Sequence, residues 1–160
     1  MNRDTRFLNI DGSPLRLYPP LWFLLFAISA IVLANLLPLS LPLPALIRPL
    51  AYLLAAGGGV LALWAALLFR RQQTTAHPYA EARTLVTRGP YRYTRNPMYL
   101  GLLLTLLALG LWLQSMSALM LGPLFVFVIN RCNIRPEERR LKAGFGVAYE
   151  AYQAQTRRWI

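Results

Sequence analysis

The chain has 160 residues, of which 56% are hydrophobic and only 14% are charged, and its formal net charge is +11. An average soluble domain carries about 25% charged residues, so this composition argues against a soluble protein. The length predicts one domain. Because the chain has a single cysteine, Cys132, an intrachain disulfide framework and a cysteine-cluster metal site are excluded, and we expect no metal ion.

Three long segments without a charged residue are candidates for membrane spans: residues 17–47, 49–69 and 96–130. About 20 helical residues cross the ~30 Å hydrocarbon layer of a bilayer. The first segment contains one predicted span, residues 18–37, which ends where Pro38, Pro42 and Pro44 cannot continue a helix. It is longer than the core of a signal peptide, so we predict that this span is retained.

The second span is predicted over residues 49–69 and contains the triplet Gly57, Gly58 and Gly59. Small residues let helices approach closely in lipid, so we predict that the triplet packs against another helix rather than binding a ligand. As one helix, the third segment would be about 52 Å long, too long for one crossing. Its polar break, LQSMS, predicts a hairpin with spans over residues 97–113 and 117–135.

The placement of arginines orients the four predicted spans. Residues 70–95 carry six arginines and one glutamate, and the chain from residue 131 onward carries seven basic and three acidic residues. The loop between the first two spans has one arginine, and the hairpin tip has no charge. The positive-inside rule predicts that both termini and the loop of residues 70–96 are cytoplasmic. Topology and anionic lipid explain the positive charge, so we expect no nucleic-acid partner.

The C-terminal tail, residues 136–160, is predicted to be a helical lid. Glu137 and Glu138 fall in its first turn, where the helix dipole favours negative charge. An apolar stripe with spacings of three and four residues follows, made of Leu141, Phe145, Ala148, Tyr149 and Tyr152. Gly144 and Gly146 predict a kink or a break midway. The stripe can lie on the membrane surface or fold back over the hairpin. The predicted fold is an all-α integral membrane protein with about four transmembrane helices, in a single domain of residues 1–160.

Taken alone, these motifs have ordinary structural explanations. The sequence RNPMY, which starts at Arg95, is typical of a span entrance with a proline in the first helical turn. The pair Glu137–Glu138 is typical of a helix start, and His77 is typical of a loop histidine. The span interiors contain no acidic residue, which argues against a proton-coupled transporter. A non-catalytic membrane scaffold stays open.

Three motifs follow one another in the C-terminal half: LVTRGPYRYTRNPMYLG, then the pair of glutamates after some 35 residues, then FGVAYEAY. In this combination, over about residues 74–159, the chain resembles the isoprenylcysteine carboxyl methyltransferase family and the related membrane phospholipid N-methyltransferases. The resemblance implies a methyltransferase embedded in the bilayer that uses S-adenosylmethionine and releases S-adenosylhomocysteine. The chain has no G-x-G-x-x-G motif between a strand and a helix, in agreement with a fold that lacks a Rossmann domain.

The resemblance assigns cofactor contacts to ten residues: Tyr91, Asn96, Pro97, Tyr99, Gly101, Glu137, Glu138, Phe145, Tyr149 and Tyr152. Glu137 or Glu138 would pair with the ammonium group of the cofactor, and Asn96 or a neighbouring arginine would bind its carboxylate. Aromatic rings would enclose the adenine and shield the sulfonium by cation–π contact. The catalytic candidates are Arg95, or Arg131 in its place, to hold a carboxylate acceptor, and Glu137 as base for an amine or thiol acceptor.

The predicted acceptor is lipophilic and meets the enzyme at the cytoplasmic face of the membrane. The first candidate is the carboxyl group of an isoprenylcysteine-like molecule, and the alternative is a phospholipid or another small amine or thiol. Asn96 stands where the carboxyl methyltransferases typically carry histidine, and asparagine can neither carry charge nor shuttle a proton. The sequence leaves the acceptor and the oligomeric state open.

Overall fold

A computed structural model describes residues 19–73 and 85–160 of the chain. The regular elements in these two ranges are all helical, so the all-α prediction is confirmed. In chain order they are α1 (Pro19–Leu36), α2 (Ile47–Gln73), a 3-10 turn (Gly89–Arg92), α3 (Pro97–Trp112), α4 (Met116–Leu119), α5 (Leu121–Ile129), a π-helical turn (Asn130–Ile134), α6 (Arg135–Phe145) and α7 (Val147–Gln155).

Three helical stretches in the described ranges are long and apolar enough to cross a membrane: Pro19–Leu36, Ile47–Arg71 and Met116–Phe145. The integral membrane prediction is therefore confirmed. The fourth apolar helix, α3, has 16 residues and is about 24 Å long, shorter than a typical hydrocarbon layer. The number of four spans and the cytoplasmic position of the termini stay predictions. The N-terminal arm and the loop histidine His77 lie outside the described residues.

The polar break after α3 forms the turn of a helical hairpin, as predicted. Gln114 adopts a positive φ of 49°, and the Ser115 side chain caps α4 by accepting a hydrogen bond from its first turn. The proline-rich loop after α1 lies against this turn, because the Leu41 N–H donates to the Gln114 carbonyl at 2.7 Å and the Met116 N–H donates to the Leu39 carbonyl at 3.0 Å. These bonds satisfy backbone groups that helix ends leave open.

Helices α2 and α3 make the most extensive helix contact, and glycines lie at its centre. A β-carbon added to Gly58 would lie 2.6 Å from the Gly101 carbonyl oxygen, and one added to Gly101 would lie 2.6 Å from the Ala62 nitrogen. Two backbones can approach this closely only where both residues lack a side chain. Gly57 and Gly59 have no such neighbours within 4 Å. The packing prediction is thus confirmed for the middle residue of the triplet.

Replacing Gly58 with alanine should lower the thermal unfolding temperature of the detergent-purified protein. The added carbon meets the backbone of α3, and overpacking of this kind costs about 1–3 kcal/mol. Gly57→Ala and Gly59→Ala are matched controls, because they make the same change where space is open. They should be neutral or slightly stabilising, since glycine in a helix costs roughly 0.5–1 kcal/mol relative to alanine. Equal losses in all three variants would contradict the close α2–α3 packing.

The helical stretch that contains the last predicted span continues beyond Arg135 and runs on to Phe145. A π-helical turn precedes Pro136. Proline has no backbone N–H to donate, and here it follows a turn in which the regular α-helical hydrogen bonds are already interrupted. The chain breaks at Gly146 instead, with a φ of +50° that favours glycine. The predicted break at this glycine is confirmed, and α7 folds back from it as a lid.

The core between the helices is formed mainly by α1, α3 and α5. Phe26 of α1, Leu106 of α3 and Phe125 and Ile129 of α5 are among its buried side chains. Phe26 and Phe125 meet edge to face, with ring centroids 5.3 Å apart, an arrangement favoured by the charge distribution of aromatic rings. Packing of α1 and α3 against α5 therefore fixes the position of the π-helical turn and of α6, which carries the glutamate pair.

Candidate functional site

A cavity lies where α6, α7, the 3-10 turn and the end of α2 meet. The space between protein atoms there, counted together with the open solvent at its mouth, is about 590 Å³. Eight of the residues selected from the sequence line it: Tyr91, Arg95, Asn96, Glu137, Glu138, Phe145, Tyr149 and Tyr152. The hairpin entrance and the lid, which are some 50 residues apart in sequence, thus face one space.

Three other selected residues do not line the cavity, because they are used in helix packing. Pro97 is fully buried at the start of α3, Tyr99 is part of the hydrophobic core, and Gly101 lies against α2. Arg131, the alternative to Arg95, is exposed on the π-helical turn and is likewise absent from the lining. Of the two arginines, only Arg95 reaches the cavity.

Tyrosines from the lid and the 3-10 turn form one wall. The Tyr152 hydroxyl donates a hydrogen bond to the Tyr91 carbonyl at 2.6 Å, and the rings of Tyr149 and Tyr152 lie 6.2 Å apart. Burial raises the pKa of Tyr152 to about 12. Burial also raises the pKa of Tyr91 and of Tyr149, with further contributions from the Glu137 and Glu138 carboxylates respectively. All three hydroxyls are therefore neutral at physiological pH.

The raised pKa of Tyr152 predicts a loss of stability at alkaline pH. The unfolded chain loses the hydroxyl proton near pH 10, whereas the folded protein keeps it until about pH 12. The contribution is fully present below pH 10 and is lost as the pH rises from 10 to 12. When thermal unfolding is measured at pH values below and above 10, the unfolding temperature of the wild type should fall more steeply with pH than that of Tyr152→Phe. Identical pH profiles would contradict a buried hydroxyl at this position.

An ionic cluster of Arg95, Glu138 and Arg158 lies beside the aromatic wall. Arg158 donates from Nε to Glu138 Oε1 at 3.0 Å and from Nη2 to Oε2 at 2.6 Å, and this hydrogen bonding raises the pKa of Arg158. Arg95 Nη1 lies 3.4 Å from Glu138 Oε1, and the side chains of Arg95 and Glu138 are both only 12% exposed. Two guanidinium groups and one carboxylate leave this cluster with a net charge of +1.

The Nε atom of Arg95 is buried and has no hydrogen-bond partner among the described residues. Burying a polar group without a partner is costly, and an arginine presents its donors in a geometry that suits a carboxylate. This open donor makes the part of the cavity beside Arg95 suitable for an anionic ligand group.

The residues after α7, from Thr156 to Trp159, form a segment that we call the C-terminal strap. It runs beside the hairpin entrance: the Arg95 N–H donates to the Arg157 carbonyl at 2.9 Å. The Arg158 carbonyl accepts hydrogen bonds from Thr94 Oγ1 at 3.1 Å and from Asn96 Nδ2 at 2.9 Å. Asn96 thus lines the cavity while its amide group holds the strap.

Sequence reasoning missed the strap and the apolar part of the lining. Arg158 pairs with Glu138 across the break at Gly146, and no spacing rule connects two residues on separate helical segments. Leu141 was predicted only as part of the apolar stripe of the lid. Four further apolar lining residues were missed, because in the sequence they are ordinary hydrophobic positions: Phe69, Leu85, Val86 and Ile134.

Comparisons with known proteins show the family of the chain. A family model described as phospholipid methyltransferase matches residues 46–148, a range that begins just before α2 and includes Arg95 and the glutamate pair. The chain is also similar to a protein of Haemophilus influenzae described as uncharacterized, with 44% identity over 63 residues, which are 39% of this chain and the whole of that protein. Because the family match covers more than half of the chain, the protein belongs to the phospholipid methyltransferase family, which is related to the isoprenylcysteine carboxyl methyltransferases.

Proposed function

We propose that this protein transfers a methyl group from S-adenosylmethionine to a lipophilic acceptor at the membrane. Family membership makes it a membrane methyltransferase, and the proposal adds the donor, the class of acceptor and the roles of the residues. One observation carries it: a buried arginine with an open donor, a pair of glutamates and an aromatic wall share one cavity at the end of the apolar helices. The arginine-rich segments around this cavity favour a cytoplasmic position.

The charged residues of the cavity fit the amino-acid end of S-adenosylmethionine, which carries an ammonium and a carboxylate. Buried charges need partners of opposite sign. The open Nε donor of Arg95 suits the carboxylate, and the carboxylate of Glu137 suits the ammonium. Both glutamates line the cavity and have partners in the fold; because two guanidinium groups balance the charge of Glu138, we assign the ammonium to Glu137. The ammonium and the carboxylate of the ligand cancel, so its amino-acid end does not change the net charge of the cavity.

The aromatic wall fits the rest of the cofactor. Tyr91, Phe145, Tyr149 and Tyr152 offer ring faces to an adenine and to a positively charged sulfur. When bound, S-adenosylmethionine supplies a methyl group on a sulfonium, which the acceptor displaces. The lid would exclude water from this space, which strengthens the interaction of Arg95 and Glu137 with the ligand charges.

A carboxylate acceptor, such as that of an isoprenylcysteine-like molecule, is our first candidate. It is ionised at neutral pH and needs no base, and the described lining offers no unengaged base. The tyrosine hydroxyls are neutral there because of their raised pKa, and Glu137 and Glu138 both have interaction partners in the fold. Apolar lining residues such as Phe69 and Leu141 suit a lipophilic chain.

The amine of a phospholipid is the second candidate, favoured by the description of the matching family. An amine acceptor has to lose a proton, and Glu137 would be the base. To decide between the two, purified protein is incubated with methyl-labelled S-adenosylmethionine and either an isoprenylcysteine analogue or phosphatidylethanolamine. A base-labile label on the first acceptor is expected. A base-stable label on the phospholipid would establish the second candidate, and cofactor binding without transfer to membrane extracts would favour a non-catalytic scaffold.

A further inference from the structure

We propose that Arg158 of the C-terminal strap is a positioning residue, which occupies Glu138 so that Arg95 stays available for the carboxylate of the ligand. This inference rests on the proposed function, because S-adenosylmethionine or S-adenosylhomocysteine supplies that carboxylate. It gives the strap a role in ligand affinity, although the Arg158 side chain is not among the groups that line the cavity.

The two arginines hold Glu138 unequally. Arg158 forms a two-pronged contact with both carboxylate oxygens, at 3.0 and 2.6 Å, whereas Arg95 approaches one oxygen at 3.4 Å. Bidentate charge-assisted contacts of the first kind are the stronger ones. Glu138 is therefore satisfied mainly by Arg158, and the Nε donor of Arg95 is left without a partner among the described residues.

Contacts of the Arg158 backbone and of the next residue hold the strap in place. The Arg158 carbonyl group accepts two hydrogen bonds from the hairpin entrance, from Thr94 and Asn96. The next residue, Trp159, packs against the core and donates from Nε1 to Asn130 Oδ1 at 3.3 Å. These contacts hold the backbone of the strap beside Glu138, and the Arg158 side chain, which is 37% exposed, reaches Glu138 from there.

Removal of the Arg158 charge should shift Arg95 from the ligand carboxylate to Glu138. Glu138 is only 12% exposed, and a carboxylate in that environment needs a cationic partner. Arg95 is the remaining one, so it would move fully onto Glu138 and release the ligand carboxylate. If Glu138 is then neutralised as well, Arg95 is set free again. The second substitution should therefore restore part of the ligand affinity that the first one removes. A purely structural role of Arg158 does not predict this recovery.

Calorimetric titration with S-adenosylhomocysteine tests this inference on the full-length protein in detergent. Arg158→Gln should raise the Kd about tenfold or more, the usual effect of losing one charge-assisted hydrogen bond. The double variant Arg158→Gln/Glu138→Gln should bind more tightly than the single one. Arg157→Gln is the matched control, because Arg157 is exposed on the same strap and contributes only its backbone carbonyl. It should bind like the wild type, and thermal unfolding of each variant shows that it is folded.

A double variant as weak as Arg158→Gln, or weaker, would overturn the positioning role, as would an equal loss in Arg157→Gln. If the folded wild type does not bind S-adenosylhomocysteine at all, the proposed function fails and this inference fails with it. Wild-type binding without the rescue overturns the inference alone.

Discussion

Replacing Arg95 with glutamine should reduce methyl transfer by at least about 100-fold. The substitution removes the charged partner of the ligand carboxylate inside a cavity, and an uncompensated buried charge costs roughly 3–5 kcal/mol. Glu138 keeps its two-pronged contact with Arg158, so the fold should persist. The measurement is the initial rate with methyl-labelled cofactor, with thermal unfolding as the check on folding.

Arg131→Gln is the matched control for this variant. Arg131 has the same side chain, is one helical segment away and is exposed outside the cavity. It should retain the wild-type rate. If instead Arg131→Gln is inactive and Arg95→Gln is active, Arg131 is the arginine that methyl transfer requires, and the role assigned to Arg95 is wrong.

Replacing Glu137 with glutamine should weaken the binding of S-adenosylhomocysteine by about 10–100-fold, since hydrogen bonds to charged groups contribute roughly 1.5–3 kcal/mol. The loss should depend on the ammonium group. An analogue without the amino group should bind the variant and the wild type with similar affinity, because it has no charge for Glu137 to pair with.

Glu150→Gln controls for the loss of one negative charge on the tail. Glu150 is about half exposed and forms a surface ion pair with Lys142 at 2.9 Å, a type of contact that contributes little. It should bind S-adenosylhomocysteine like the wild type. Equal weakening of both ligands by Glu137→Gln would show that Glu137 supports the cavity without touching the ammonium.

Features determined by local sequence could be predicted. The apolar runs predict α1, α2 and the hairpin, because the thickness of the hydrocarbon layer sets the number of helical residues that cross it. The polar LQSMS break marks the hairpin turn, and Gly146 marks the break within the C-terminal tail, since few other residues adopt its positive φ. Gly58 follows from the general use of small residues at close helix contacts.

Features determined by tertiary packing could not be predicted. Pro136 looks like the end of a span, yet the π-helical turn before it lets the helix continue and carry Glu137 and Glu138 to the cavity. Residues that are close in sequence within the motif RNPMYLG face different parts of the structure. Arg95 and Asn96 line the cavity, whereas Tyr99 faces the core and Gly101 faces α2.

The ionic cluster is the clearest case of such a limit. The sequence offers several arginines near the glutamate pair, and their pairing depends on how the lid and the strap fold back. In the structure, Arg158 donates hydrogen bonds to Glu138, and the Asn96 amide donates to the backbone of the strap. These contacts distinguish the surroundings of the two glutamates, either of which the sequence offers as a partner for the ammonium.

A crystal or cryo-electron microscopy structure of the protein with S-adenosylhomocysteine bound would locate the ligand directly. We expect its amino-acid end between Arg95 and Glu137 and its adenine against the aromatic rings of the lid. A ligand bound elsewhere on the protein, with both side chains left without contact to it, would contradict the assignment of this cavity.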